Sequence, residues 1–227
     1  MLFQNFKMKH LIFDAGPLIN FSMNNLLHIL EKLKKEFKGD FLITKEVKQE
    51  IIDTPITIQK YELSGIRLKE VFDRKIIKHA DLSKKQVDEL RERRERIMQI
   101  ANNLFRTNQG PIHLIDKGES AALALSQMTN YSPLVIDERT TRMLCENPEN
   151  LRKLMEKKLH TSIKSDKSDY DFFKNFKVIR STELIYIAHK RGMIELKDPR
   201  AYEAMLYGLK FKGCSISEAE VEEMKKL

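Results

Sequence analysis

His10-Leu11-Ile12-Phe13-Asp14-Ala15-Gly16-Pro17 is a short apolar run closed by a carboxylate and a turn. Such a run reads as a strand buried in a sheet, and Pro17 suits the first turn of a following helix. Leu26, Leu27, Leu30, Leu33 and Phe37 then recur at helical spacing, and Gly39 stops that helix. Phe41-Leu42-Ile43 is a second strand, and Thr44 caps a helix carrying Val47, Glu50, Ile51 and Ile52. Strand and helix in alternation predict a parallel α/β sheet. The pattern returns with an Ala/Leu-rich helix opened by Gly118-Glu119-Ser120 and running to Met128. The strand Pro133-Leu134-Val135-Ile136-Asp137 follows, with a helix through Leu144 after it. Phe176 to Ile179 is a further strand, with Ser181 or Thr182 capping a helix that ends near Gly192. Asp198-Pro199 starts another helix, and Ser217-x-x-Glu220 is a capping box for the last. The polar stretch from Lys157 to Asp171 reads as a mobile loop.

The chain has 227 residues, 41% of them hydrophobic, enough for one well-cored domain over 1–227. Between 54 and 113 the alternation breaks. A Pro/Gly-marked start leads into a long charged helix, roughly 83–105, so this stretch reads as a mostly helical insertion. It holds thirteen Lys and Arg against eight Asp and Glu, a net of +5 out of the chain's +8. A solvated helix laced with i,i+4 ion pairs is one reading. The other is a basic arm for nucleic-acid phosphates, with Arg91, Arg93, Arg94 and Arg96 joined by Arg139 and Arg142 further on. Leu90, Ile97 and Leu104 would alternatively be a stripe packed on a twin subunit or a protein partner.

Several classes drop out. Two cysteines make neither a disulfide scaffold nor a thiolate zinc site. No apolar run approaches a membrane span, and the start, Met1 to Phe13, makes a poor signal peptide, so a cytoplasmic protein without a membrane partner is expected. No Gly-rich phosphate loop follows a strand, no Ser sits in a GxSxG elbow, and Gly16 stands where a phosphatase would carry a second Asp.

The carboxylates carry the chemistry. A buried apolar strand has no structural use for an acid at its end unless something pairs with it. Two strands end so, at Asp14 and Asp137, and all strands of a parallel sheet open on one edge, where ligands bind. Each Asp could instead cap the next helix. Glu119 projects from the end of a helix apolar almost all round. On the helix after Thr44, a regular 100° step puts Glu50 about 60° from buried Val47, and Glu46 and Asp53 about 100–120° away. Several carboxylates in one cleft repel one another unless hard divalent cations, Mg²⁺ or Mn²⁺, compensate. Removing one of them should therefore relieve repulsion.

In order, Asp14, Glu50, Glu119 and Asp137 resemble the four-acid signature of PIN-domain ribonucleases, the group that includes VapC-like toxins. The pieces are Phe13-Asp14-Ala15-Gly16-Pro17-Leu18-Ile19, Val47-x-x-Glu50-Ile51, Gly118-Glu119-Ser120-Ala121-Ala122 and Val135-Ile136-Asp137-Glu138-Arg139-x-x-Arg142. Ala15 and Gly16 stand where many members carry Ser, Thr or Asn. The resemblance implies a three-layer α/β/α sandwich around a central parallel sheet, with the four acids binding Mg²⁺ or Mn²⁺ and hydrolysing RNA. RNA would be the substrate, and an antitoxin-like protein or a second copy of the chain the protein partner. The competing reading is an inactive PIN-like scaffold binding RNA or protein through the basic insertion. Such a scaffold would ordinarily have lost an acid, and all four positions are filled.

Overall fold

A computed structural model describes residues 10–227; the expectation about a signal peptide falls largely on 1–9, outside the described residues. In chain order, β1 (His10–Phe13), α1 (Ala15–Met23), α2 (Leu27–Glu36) and β2 (Asp40–Ile43) come first. Next, α3 (Lys45–Lys48) runs on as a turn of π-helix, Gln49–Asp53, before α4 (Glu62–Asp73), β3 (Lys78–His79) and α5 (Lys84–Leu104). After β4 (Phe105–Thr107) and β5 (Gly110–Pro111) come α6 (Lys117–Met128), β6 (Leu134–Val135), α7 (Arg139–Glu146) and α8 (Pro148–Leu159). The chain continues with β7 (Lys164–Ser165), α9 (Tyr170–Phe173), β8 (Val178–Ile179), α10 (Ser181–Lys190), α11 (Ala201–Phe211) and α12 (Glu218–Lys226).

Five strands form a parallel sheet in the order β3-β2-β1-β6-β8. Side chains alternate along each strand, so two cores form. Leu11, Phe13, Phe41, Ile43 and Val135 face the helices α1, α2, α10, α11 and α12, while Ile12, Leu42, Leu134 and Ile136 face α5 and α6. The result is the expected three-layer α/β/α sandwich around a parallel sheet. Strand order reverses between β1 and β6, which pair with Phe13 opposite Val135. Ligands of open parallel sheets bind outside the carboxyl ends of the strands at such a switch point. The residues that follow β1 and β6 are the acid-bearing ones.

Three stretches differ from the sequence reading. Residues 54–113 are tied to the sheet: β3 pairs with β2, Ile43 opposite His79. β3 escapes notice because it is two polar residues long. Of the apolar stripe of α5, Ile97 and Leu104 are fully buried against the chain's own α6, while Leu90 is half-buried and lines a cavity. The 157–171 segment is structured. β7 pairs antiparallel with β4, and Tyr170 shares hydrogen bonds with Ser165 and Glu149. Finally, α10 begins at Ser181 itself, closed by the Glu183 carboxylate accepting from the Arg180 amide. Among the described residues, no helix is long and apolar enough to cross a membrane.

Candidate active site

Asp14 follows β1 directly, its amide donating to Val135 O at 3.0 Å. It holds the N-cap position of α1, yet its side chain makes no capping bond. Its carboxyl lies within reach of the Ala15 and Gly16 amides of the first turn, so the position keeps a share of the capping role. Asp14 is 6% exposed. Burial pushes it up to about 7, the charges of Glu119 and Glu50 add to this, and the amides of Ala15 and Gly16 oppose it.

Asp137 is different. It is 1% exposed, and three donors fill its carboxylate. Oδ2 accepts from Asn20 Nδ2 at 2.6 Å and Ser181 Oγ at 2.8 Å, and Oδ1 accepts from Ser181 N at 2.8 Å. Its carbonyl also accepts from Ser215 N at 2.9 Å. The Cys214 thiol is a further hydrogen-bond partner, so Asp137 ties α1, α10 and the chain before α12 to the end of β6. Gly16 separates the two aspartates: a Cβ there would lie 3.7 Å from both Asp14 Oδ2 and Asp137 Cβ.

Glu50 lies on the π turn, where Thr54 N donates to Gln49 O. A π turn advances less per residue than the 100° assumed from sequence, so the helical wheel misjudges the face on which Glu50 lies. Glu46 pairs with Arg94 and Asp53 with Lys48, whereas Glu50 forms no ion pair among the described residues. Although Glu50 as a residue is exposed, its Oε2 lies 3.4 Å from where a Cβ on Gly118 would stand, next to Asp116. Desolvation raises its pKa, and the charge of Asp116 adds to that. Single-turn π-bulges are frequent at functional sites.

Glu119 sits in a capping box at the start of α6. Its Oε2 accepts from Asp116 N, and its own amide donates to Asp116 Oδ1. Oε1 accepts from Thr141 Oγ1 of α7 at 2.5 Å. Burial raises this carboxyl to about 7; Thr141 and the Asp116 amide oppose the shift, and the charges of Asp116 and Glu138 add to it.

The structure thus sets Asp14, Glu50 and Glu119 within electrostatic reach of one another at the carboxyl edge of the sheet, with Asp137 beside them as a bonded clamp. Sequence reasoning missed Asp116 and Glu138, which add charge to this edge. Their signal was present: Asp116 stands three residues before Glu119, and Glu138 directly follows Asp137. Both cap helices here, Asp116 for α6 and Glu138 for α7.

Among the described residues no Lys, Arg or His pairs with Asp14, Glu50, Glu119 or Asp137; the nearby arginines are engaged elsewhere. Arg142 reaches Glu146 and Ser215 O, and Arg180 reaches Glu183 and Glu220. An all-carboxylate set without a counter-charge, in which Asp14, Glu50 and Glu119 have raised pKa values, fits a hard divalent cation. Among the described residues, no three Asp, Glu, His or Cys converge closely enough to hold one ion directly. A cation here would keep waters between itself and part of the set, as Mg²⁺ commonly does.

Of the basic candidates, Arg93 is held by Glu89 and Gln127, and Arg94 by Glu46 and Glu95. Arg91, Arg96 and Arg139 are exposed and form no ion pair among the described residues. Arg91 lines a cavity of about 260 Å³ with Thr44 and Ala80, at the carboxyl ends of β2 and β3.

Thr141 is fully buried and orients Glu119, which gives a first prediction. Thr141→Val removes a hydrogen bond to a charged group, of order 2 kcal/mol, without changing shape. Any activity that depends on Glu119 should fall about tenfold. The pH at which Mn²⁺ binding is half-maximal should move upward, because the lost bond is one that lowers the Glu119 pKa. Thr141→Ser should keep both. Isothermal titration across pH checks this, and an unmoved midpoint would refute it.

A family model described as a PIN domain matches residues 10–149. Among curated proteins and among solved structures, nothing matches the chain.

Proposed function

Because the chain belongs to the PIN-domain family, we propose that it is a metal-dependent ribonuclease that hydrolyses RNA phosphodiesters at Asp14, Glu50, Glu119 and Asp137. PIN domains are typically nucleases and usually work with divalent metal ions, so an enzyme acting on nucleic acid is the starting point. The observation that carries the finer reading is the uncompensated acid set at the switch point. Asp14 and Glu119 share raised pKa values with no cation to relieve them.

Asp14, Glu50 and Glu119 would hold Mg²⁺ or Mn²⁺, with Asp137 completing the set. When bound, the ion lowers the pKa of water and stabilises charge on the leaving oxygen of an in-line displacement. The protein's own contribution is placement. Asp14 is fixed by the β1–β6 pairing, Glu119 by Thr141 and the Asp116 amide, and Asp137 by Asn20 and Ser181. Arg139, at the first turn of α7, with Arg91 and Arg96 of α5, would meet RNA phosphates; the paired Arg93, Arg94 and Arg142 would serve as supports. Phosphate contacts of this kind add affinity without sequence information.

The test is cleavage of end-labelled single-stranded RNA, hairpin RNA and single-stranded DNA, in Mn²⁺, in Mg²⁺ and in EDTA. RNA should be cut with either metal and left whole in EDTA. Cleavage of DNA alone, or RNA cleavage unaffected by EDTA, would overturn the reading.

A further inference from the structure

Beside the acids lies a groove that phosphodiester hydrolysis does not itself require. A cavity of about 480 Å³ starts at Glu50 and runs between the end of α1, the 54–58 segment and the first turns of α4. This volume falls within the ~300–1,000 Å³ of small-ligand pockets. Its walls are mainly apolar and left open: Met23 is 47% exposed, Tyr61 43% and Leu63 62%. The rim is basic. Lys60 Nζ lies 5.0 Å from the Tyr61 ring centroid, and neither Lys60 nor Arg67 pairs with an acid among the described residues.

The shape of the groove is set in advance. Ser64 Oγ donates to Ser22 Oγ at 2.9 Å, and Ser22 Oγ donates to Ser64 O, fixing α4 on α1. Gly65 lets α4 close on the 55–57 turn; a Cβ there would stand 3.0 Å from both Ile56 N and Ile56 Cγ1. The floor is therefore held by backbone packing as well as by mobile side chains.

Resting on the ribonuclease reading, we propose that this groove is the subsite for an unstacked nucleobase neighbouring the scissile phosphate. The base lies on the Tyr61 ring and the apolar floor, and its flanking phosphates meet Lys60 and Arg67. Every base has a π face, so stacking on an exposed aromatic ring is tolerant of sequence and strong enough to hold a single strand. Charge places the strand: Glu50 at the inner end repels phosphate, and the two cations attract it to the rim. An apolar peptide segment would find the same floor but no use for the unpaired cations. Substrates with a single-stranded nucleotide beside the cut are thereby preferred over uninterrupted duplex.

Binding is measured by fluorescence anisotropy in EDTA with a fluorescein-labelled single-stranded RNA and a strand of the same length made of abasic nucleotides. Tyr61→Ala should weaken RNA binding about tenfold, the abasic strand should bind wild type and variant alike, and Tyr61→Phe should bind RNA like wild type. Undiminished binding by Tyr61→Ala, an equal loss for the abasic strand, or no saturable binding would overturn the proposal. Melting temperature of each variant shows that the fold persists. RNA cleavage by Tyr61→Ala at unchanged KM would sink the subsite and leave the ribonuclease standing. Tyr61-dependent binding without any cleavage would do the reverse.

Discussion

Asp14→Asn is expected to raise the melting temperature of the metal-free protein at pH 8 while abolishing RNA cleavage. The folded-state pKa of Asp14 is raised from 3.8 to about 7. Between those values the folded state holds a proton that the unfolded chain has released. Stability is therefore present in full below about pH 4 and lost as pH rises through about 7. At pH 8 the penalty is of order 3 kcal/mol for so buried a group, and the neutral amide removes it. The corresponding rise is roughly 5–10 °C for a chain of this size. At pH 5, only about one unit above the unfolded value, the gap should shrink to roughly a third of its size at pH 8. Mn²⁺ should stabilise wild type at pH 8 and leave the variant unmoved, and cleavage should fall at least ~100-fold. Calorimetry at pH 5 and pH 8, with and without Mn²⁺, checks each part. A variant less stable than wild type at pH 8 would refute the crowding of carboxylates.

Asp137→Asn should do the opposite to stability. Three donors point at this carboxylate, two of them at Oδ2. An amide oxygen can take Ser181 N, but the amide nitrogen then faces Asn20 Nδ2, donor against donor, in a site 1% exposed. Leaving buried donors unpaired costs about 2–4 kcal/mol, or a fall of roughly 5–10 °C. Relief of repulsion, which the sequence suggests would leave Asp137→Asn as stable as wild type or more so, is outweighed at Asp137 by its bonds and is expected at Asp14 instead. Pairing Asn20→Asp with Asp137→Asn exchanges donor and acceptor and should recover most of the lost stability. Cleavage should stay lost, because the Asp137 carboxylate is also proposed as a ligand. If the double variant regains cleavage with its stability, Asp137 is a clamp alone.

What could be read in advance follows the reach of each interaction. β1, β2 and β6 are short apolar runs ended by turns, so the sheet and the acids at its edge are visible in the chain itself. The capping boxes at Ser83 and Ser217 are local and equally legible. The partners of Asp137 are not, since Asn20 lies 117 residues away and Ser181 lies 44 away. α4 is hidden because its tightest contact is made by Gly65, which carries no apolar signal, while Leu63 and Ile66 point to solvent. The π turn at Glu50 breaks the periodicity on which a helical wheel depends. Asp116 and Glu138 resemble ordinary helix caps; Asp116 is local to Glu119, whereas the closeness of Glu138 appears only when α6 and α7 are brought together.

The most direct measurement is anomalous scattering from crystals soaked in Mn²⁺ near pH 8. A manganese peak is expected at the carboxyl edge of the sheet between Asp14, Glu50 and Glu119, beside Asp137, and the same soak of Asp14→Asn crystals should show none. Peaks confined to surface acids, or an undiminished peak in Asp14→Asn, would contradict the assignment of these carboxylates as the metal site.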